Sequence, residues 1–309
     1  MIETDKSIFN APLALVNGPD QFRKIFDGGR RACSIELNES RLDLEFYPKD
    51  SDVLVVFLAG AKPRDKEVTL PFFLGRKLAS STDANCLFIS DPAFYMTNEL
   101  RLAWYGGTSK DPMQRLLPEL ISHVAEKRRI KRIVFFGGSG GGFAGMFLSR
   151  QFDNSLALVW NPQIILENYI PRIVKAYANI AWRCETESLK IGMCTNLANL
   201  YASSRANNLV VYMQNITDHH VKNHMTPFLS ALGVACPATP VSGWISSTVY
   251  LHLTDWREGH KPPPYAALSR VLKEFSAPRP AWTPFRFSEV LASAEHDARV
   301  EAEVVGRAA

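Results

Sequence analysis

The segment Arg132–Gly145 constrains the fold more than any other part of this 309-residue chain, because a glycine-rich bend joins two kinds of secondary structure. Four apolar residues, Ile133–Phe136, are typical of a short strand in a parallel sheet that is covered on both faces. The residues from Phe143 to Arg150 have the composition of a helix. The segment therefore predicts a strand, a sharp turn and a helix, with Ser139 at the turn.

The glycines of this helix also indicate how closely the helix packs against its neighbours. Glycine inside a helix costs about 1 kcal/mol relative to alanine. Gly141, Gly142 and Gly145 therefore suggest that the helix backbone passes close to its neighbours. The glycines at positions 137 and 141 flank Ser139 two residues away on each side, which leaves room for a strained turn.

Two alternatives use the same glycines. The spacing from Gly140 to Gly145 also fits a dinucleotide-binding turn, but that turn needs an acidic residue about 20 positions further on. The next predicted strand, Leu156–Trp160, ends in Asn161-Pro162 instead. A P-loop is excluded because no Gly-Lys-Ser/Thr follows, and a purely structural glycine-rich turn stays open.

The pattern Gly137-x-Ser139-x-Gly141, set between a strand and a helix, resembles the nucleophile elbow of the α/β-hydrolase superfamily. The resemblance implies that Ser139 is a nucleophile at the edge of an α/β sheet. It also implies an acid and a histidine further along the chain, in that order.

Composition excludes several other classes of protein. Apolar residues make up 46% of the chain, charged residues 21%, and the net charge is only +4, which is typical of an ordinary globular protein. The basic run 127–132 lies between a predicted helix and a predicted strand, so we expect a solvated connection and no nucleic-acid binding. No signal peptide, transmembrane segment or Cys-x-x-Cys motif is visible. We expect a cytoplasmic protein without a cofactor or a metal.

Strands alternate with helices along most of the chain, which predicts an α/β fold with a mostly parallel sheet and helices on both faces. We expect a loosely organised lead-in over residues 1–30, a main domain over 31–276 and a C-terminal extension over 277–309. The main domain begins with an antiparallel hairpin, 32–37 and 42–47. Residues 163–207 are helical and partly apolar, and the superfamily resemblance implies a lid there. The extension combines a proline-rich connector, 277–284, with a charged helix near 288–305.

Strands are predicted at 52–60, 85–91, 133–136, 156–160, 208–213 and 248–253, and helices at 113–128, 222–232 and 265–275.

The superfamily layout places the acid after a late strand and the histidine in the loop after the last strand. Asp218 lies five residues past the strand that ends at Met213, and His260 lies between the last strand and the closing helix. Both match the implied order. Asp255 and Glu167 are alternative acids.

A tetrahedral oxyanion needs fixed N–H donors. The backbone N–H of Gly140 is one. The resemblance places the other in the loop Ala59–Lys62, where Ala61 is preferred over Gly60 and Lys62.

Two further groups have uncertain roles. His219, His220 and His224 follow the acid, and His220 and His224 would share a helix face, but three or four ligands are usual for zinc. We therefore expect these histidines to line or support the site. Trp104 and Tyr105 lie on a loop beside two glycines, where they either pack internally or stack on a sugar or an acyl group.

These features predict a serine hydrolase that acts on an ester or a related acyl bond of a small molecule or glycan. The layout, including the loop that carries Trp104 and Tyr105, is also similar to that of hydrolase-like proteins of bacterial glycan and capsule synthesis. This resemblance implies a second candidate, an O-acyltransferase of glycan or capsule metabolism that would use the same first half-reaction. A non-catalytic binding module is the third. The oligomeric state is not predicted.

Overall fold

A computed structural model describes residues 1–63, 68–203, 208–234, 241–277, 282 and 284–308. Ten strands in this part of the chain form one sheet, in the order β1-β2-β3-β5-β4-β6-β7-β8-β10-β9. The strands are β1 (Leu13–Asn17), β2 (Arg31–Glu36), β3 (Arg41–Tyr47), β4 (Val53–Leu58), β5 (Asn85–Ile89), β6 (Arg132–Gly138), β7 (Ser155–Trp160), β8 (Leu209–Asn215), β9 (Gly243–Trp244) and β10 (Val249–Thr254).

The sheet is mostly parallel. The neighbours β5, β4, β6, β7, β8 and β10 run parallel to one another. The strands β2 and β3 form the predicted antiparallel hairpin, and β3 is also antiparallel to β5. All residues of β4 and β7 are buried, as continuous apolar strands require when both faces of a sheet are covered. The predicted fold class is confirmed.

Nine α-helices surround the sheet within the described ranges. They are α1 (Gly18–Ile25), α2 (Met113–Arg128), α3 (Gly140–Ser149), α4 (Pro171–Tyr177), α5 (Leu189–Gly192), α6 (Leu197–Ser203), α7 (Thr226–Ala231), α8 (Tyr265–Phe275) and α9 (Pro284–Ala308).

Alternate residues of β4 belong to different cores because successive side chains of a strand point to opposite faces. Val55 and Phe57 pack with Val271 of α8 and Leu291 of α9. Leu54, Val56 and Leu58 pack on the other face, with residues of α1, α2 and α3. The remaining core lies beneath α4 to α7 and the loop 100–104. The helices therefore cover both faces, as predicted.

The lead-in differs from the prediction. Residues 1–30 contain β1, which pairs in parallel with β2, and α1, whose Phe22 is fully buried. The expectation of loose organisation is wrong because the apolar residues of this segment pack at the edge of the sheet.

At the other end of the chain, α9 packs against α8 and buries Phe287, Val290 and Leu291. Most of the predicted connector 277–284 lies outside the described residues. In the described part of the predicted lid, 163–203, the chain forms α4, α5, α6 and short 3₁₀ and π turns. The division into lead-in, main domain and extension remains a prediction.

The order of the strands fixes where a crevice opens. From β4 the chain moves outward to β5, then returns through α2 to β6 on the opposite side of β4 and continues to β7 and β8. Open α/β sheets bind ligands at such a reversal, beyond the carboxyl ends of the two central strands. Gly60 follows β4 and Ser139 follows β6, so both residues lie at that point.

Candidate active site

Ser139 occupies a strained backbone position between β6 and α3. Its φ is 54° and its ψ is −119°, a combination that side-chain-bearing residues rarely adopt. The turn fits only because its neighbours lack side chains. A Cβ on Gly137 would lie 2.7 Å from the carbonyl oxygen of Gly141, and a Cβ on Gly141 would lie 2.2 Å from that of Leu58.

The close approach inferred from the glycines holds for Gly142 but not for Gly145. A Cβ on Gly142 would lie 2.8 Å from Cβ of Pro162. A Cβ on Gly145 would be 3.4 Å from its nearest neighbour, a methyl carbon of Val159, which is an ordinary contact distance. The prediction for Gly145 is therefore wrong, since at this position α3 leaves enough room for a Cβ against Val159 of β7 and Phe135 of β6.

The structure places His260 within hydrogen-bond distance of both Ser139 and Asp218. Nε2 of His260 lies 3.2 Å from Oγ of Ser139. Nδ1 of His260 lies 2.6 Å from Oδ2 of Asp218. The alternative acids are elsewhere: Glu167 accepts a hydrogen bond from the hydroxyl of Thr195, and Asp255 is exposed.

Asp218 is held as a carboxylate. Burial by itself would raise its pKa, but the hydrogen bond with His260, the backbone N–H of His220 and the neighbouring imidazoles together keep the pKa below its ordinary value. The side chain of Asp218 is fully buried, whereas that of His260 is 35% exposed. The imidazole is therefore open to a ligand, while its carboxylate partner is shielded from water.

Three polar residues hold the loop that carries His260, and sequence reasoning missed all three. Nδ2 of Asn161, at the end of β7, donates to the carbonyl oxygen of Lys261 over 2.8 Å. Nδ2 of Asn215, at the end of β8, donates to the carbonyl oxygens of Arg257 and Gly259. The hydroxyl of Thr217 also donates to the carbonyl oxygen of Arg257. The only sequence signal was that these polar residues follow directly after apolar strands.

Gln163 was not predicted to be part of the site. Its Nε2 donates to Oγ of Ser139 over 3.1 Å, and its backbone N–H donates to the carbonyl oxygen of Ser139 over 3.1 Å. Nε1 of Trp104 donates to Oε1 of Gln163, which fixes the orientation of the amide. The serine hydroxyl therefore lies between an amide donor and an imidazole.

Trp104 and Tyr105 do not lie on the surface, so the expectation that they stack on substrate is not supported. They are 1% and 2% exposed, and their backbone φ values are 52° and 54°. The buried carboxylate of Asp91 accepts from the backbone N–H of Tyr105 over 2.8 Å. The phenol of Tyr105 donates to the carbonyl oxygen of Ile89 and accepts from the backbone N–H of Ala59. Both aromatic residues are therefore buried beneath the site, where they contact the residues that form it.

The loop after β4 reaches the elbow. A Cβ on Gly60 would lie 3.6 Å from Cβ of Ser139 and 3.9 Å from the backbone nitrogen of Gly140. The backbone N–H of Lys62 is already donated to the carbonyl oxygen of Arg101, which removes Lys62 from the candidates for oxyanion donor. Ala61 is exposed beside Gly60, so Ala61 and Gly140 remain the proposed pair.

Two of the three neighbouring histidines are buried and support the site. His220 packs its ring 4.3 Å from that of His260, and its Nδ1 lies 2.9 Å from the carbonyl oxygen of Asn161. Nδ1 of His224 accepts from the backbone N–H groups of Ile164 and Ile165. Burial and the neighbouring imidazoles lower the pKa of His220 to about 3 and that of His224 to about 4, so both rings are neutral at neutral pH.

Within the described residues, Asp218, His219 and His220 are a group whose donor atoms lie close enough to hold a metal ion, within 4.8 Å of one another. Most of these donors already have protein partners. Asp218 is hydrogen-bonded to His260, and Nδ1 of His220 is hydrogen-bonded to the carbonyl oxygen of Asn161. Only His219 is exposed, and its Nδ1 lies 3.1 Å from Oδ1 of Asp218.

No protein-family model and no curated protein sequence matches the chain. Solved structures do match it. The capsule O-acetyltransferase of Neisseria meningitidis serogroup A aligns at 14% sequence identity over 74% of this chain and 87% of that chain, with a TM-score of 0.52. A variant of that acetyltransferase in complex with CoA aligns at 13% identity over 74% and 88%, also with a TM-score of 0.52.

An esterase of Pyrococcus furiosus aligns at 14% identity over 82% of this chain and 91% of that chain, with a TM-score of 0.46. Esterases, other hydrolases and an O-acetyltransferase are thus among the structural neighbours. The topology of the sheet, together with the likeness to the capsule O-acetyltransferase, shows that the chain has an α/β fold with a mostly parallel sheet. No helix in the described ranges has the length and apolar character to cross a lipid bilayer.

Proposed function

We propose that this protein is a serine hydrolase that cleaves an ester or a related acyl bond. The observation that carries the proposal is the chain of two contacts from Ser139 through His260 to the buried Asp218, at 3.2 and 2.6 Å. A serine hydroxyl is a weak nucleophile until a base takes its proton, and the base needs a third group to orient it. All three groups meet beyond the carboxyl ends of the parallel strands, where open α/β sheets bind ligands.

In the proposed mechanism, His260 takes the proton of Ser139 as the hydroxyl attacks the acyl carbonyl. Asp218 holds the proton on Nδ1 of His260 and stabilises the imidazolium that forms. The backbone N–H groups of Gly140 and Ala61 stabilise the oxyanion, and each such donor typically contributes about 10²–10³ in kcat. The imidazolium then protonates the leaving group, and an acyl-serine remains.

Gln163 has a place in this mechanism. Because its amide N–H donates to Oγ, the hydroxyl hydrogen of Ser139 is directed toward Nε2 of His260. The same N–H lies where it can stabilise negative charge on Oγ during attack. We assign Gln163 as a residue that positions the nucleophile.

An O-acyltransferase is the second candidate, because a capsule O-acetyltransferase shares the fold. The acyl-serine would then pass its acyl group to a hydroxyl of an acceptor in place of water. The two candidates share the first half-reaction and differ in what releases the acyl group.

Labelling with a fluorophosphonate tests the shared step. The wild-type protein should become labelled, and Ser139→Ala should not. Ser203→Ala is a matched control, because Ser203 is exposed on α6 and its hydroxyl donates to the carbonyl oxygen of Leu200. Absence of labelling in the folded wild-type protein, or equal labelling of Ser139→Ala, would reject the mechanism and favour a non-catalytic binding module.

Partitioning of the acyl-enzyme separates the two candidates. With p-nitrophenyl acetate as the donor, a hydrolase releases acetate at a rate that added oligosaccharide does not change. An acyltransferase forms an acetylated sugar, and the rate of nitrophenol release rises with acceptor concentration. Mass spectrometry of the sugar gives the answer directly.

A further inference from the structure

A groove opens beside the elbow, between the loop 99–102 and α4. It has a volume of about 390 Å³ and is lined by Glu99, Leu100, Arg101, Leu102, Arg172, Ile173 and Ala176. Leu102 forms the wall that the groove shares with the elbow, because a Cβ on Gly140 would lie 2.3 Å from a methyl carbon of Leu102. A ligand in the groove would therefore lie next to the proposed oxyanion donor.

Among the described residues that line this groove, the cations outnumber the carboxylates. Arg101 and Arg172 line it, together with one acidic residue, Glu99. The guanidinium of Arg101 donates to the carbonyl oxygen of Pro63 over 2.6 Å, which fixes it beside the loop that follows β4. The ammonium group of Lys62, in the same loop, lies 4.8 Å from the centre of the Phe94 ring. The backbone N–H of Lys62 donates to the carbonyl oxygen of Arg101 over 2.8 Å, so the two residues are adjacent, and burial and the charge of Arg101 lower the pKa of Lys62.

Arg172 is the cation best placed to receive a ligand. It is exposed in the first turn of α4, and no hydrogen bond or ion pair of its side chain is found within the part of the chain that the structure describes. A guanidinium offers paired N–H donors that match the oxygens of a carboxylate, a sulfate or a phosphate.

We infer that this groove binds an anionic group of the substrate through Arg172, with Arg101 contributing to the positive field. The inference rests on the proposed function, because it concerns the substrate of the same site. The anionic group belongs either to the acyl part or to the leaving alcohol. Both sources present the same carboxylate, sulfate or phosphate chemistry to the guanidinium.

Paired esters test the inference. Mono-p-nitrophenyl glutarate carries a carboxylate at the end of its acyl chain, and p-nitrophenyl pentanoate is its neutral counterpart of equal chain length. Acetylated 4-hydroxybenzenesulfonate and phenyl acetate place the charge on the leaving group instead. Arg172→Glu is compared with Lys175→Glu, which makes the same charge change on α4 at an exposed position outside the groove.

For one of the two anionic esters, Arg172→Glu should lower kcat/KM about tenfold or more, because like charges then face each other. Lys175→Glu should lower it by less than about twofold, because its charge lies outside the groove and is screened by salt. The neutral esters should change little with either variant, because they carry no charge for the new carboxylate to repel. High salt should reduce the difference between the variants. Equal losses in both variants, or no loss in Arg172→Glu, would overturn the inference.

A readout without turnover keeps the groove separate from the catalytic proposal. Glutarate binding, followed by saturation-transfer NMR, should weaken in Arg172→Glu but not in Lys175→Glu. If the folded wild-type protein hydrolyses none of the esters and Ser139 is not labelled, the proposed function fails. Glutarate binding then still tests whether the groove binds an anion through Arg172. If neutral esters are hydrolysed but neither anionic ester nor glutarate responds to Arg172→Glu, only the groove inference fails.

Discussion

The side-chain amide of Asn161 donates to the carbonyl oxygen of Lys261 over 2.8 Å, which ties the end of β7 to the residue that follows His260. Its carbonyl Oδ1 accepts from the backbone N–H of Asn215 over 2.8 Å, and its backbone oxygen contacts Nδ1 of His220. One buried residue thus connects two strand ends, the loop of His260 and the imidazole that packs on His260.

The first prediction concerns this connection. Asn161→Asp keeps the shape and the acceptor but removes the donor to Lys261. We expect kcat to fall by up to about 10²-fold with little change in KM, because small misplacements of a catalytic group have effects of this size. Steady-state kinetics on p-nitrophenyl esters measures kcat and KM for the variant and the wild type. The exposed Asn168 donates to the carbonyl oxygen of Asn223, so Asn168→Asp is a control that should leave kcat unchanged. Equal kcat values for the two variants would contradict the positioning role.

The second prediction concerns Gln163. Gln163→Glu retains an acceptor for Trp104 but can no longer donate to Oγ of Ser139, and we expect kcat/KM to fall about 10- to 100-fold. Gln114→Glu is the matched control, because the amide of Gln114 bridges the backbone of Cys194 away from Ser139. If the two variants lose the same activity at equal thermal stability, the donor to Oγ has no catalytic role.

The third prediction is a dependence of stability on pH. His220 and His224 have pKa values lowered from 6.5 to about 3 and about 4. Below pH 6.5 the unfolded chain therefore binds protons that the folded protein does not. The contribution of these groups to the free energy of unfolding should be complete above about pH 6.5. As the pH falls from there to roughly pH 3–4, the free energy of unfolding should decrease by at most about 1.4 kcal/mol per pH unit for each group.

Urea denaturation at several pH values between these limits tests this dependence. His220→Asn should lose less stability than the wild type as the pH falls, because an asparagine amide still donates to Asn161 but does not titrate. His219→Asn, at an exposed position, should retain the pH dependence of the wild type. A His220→Asn curve parallel to that of the wild type would contradict the assignment.

The fourth prediction compares two glycines of α3. A methyl group on Gly141 would lie 2.2 Å from the backbone oxygen of Leu58, which cannot move without breaking the sheet, so Gly141→Ala should prevent folding or destabilise the protein by several kcal/mol. A methyl group on Gly145 meets only ordinary contacts, and its gain in helix propensity is about 1 kcal/mol. Gly145→Ala should therefore be neutral or stabilising in urea denaturation. Similar losses for both variants would show that the spacing around α3 is not as described.

The sequence predicted the parts of this protein that depend on neighbours in the chain. The apolar residues of β6 and the glycines around Ser139 indicated a strand, a tight turn and a helix, and the alternation of such segments indicated a mostly parallel sheet. The superfamily order then selected Asp218 and His260, and the structure places both near Ser139. The catalytic roles of the three residues remain proposals for the experiments above.

The edge of the sheet was not predicted. The strand β1 is short and only partly buried, with a single buried residue, Val16. Such a strand gives a weak periodic signal, and pairing with β2 supplies the stability that its own sequence does not indicate.

The surroundings of Ser139 were decided by tertiary structure alone. Trp104 and Gln163 are 59 positions apart and meet behind the nucleophile, and Asn161 and Lys261 are 100 apart. Local sequence determined where the backbone of this protein bends and which stretches are buried, because those properties arise within a few residues. Which polar side chains face one another across the end of the sheet depended on the packing of distant segments, because a hydrogen bond forms only when both partners are brought within about 3 Å in the right orientation.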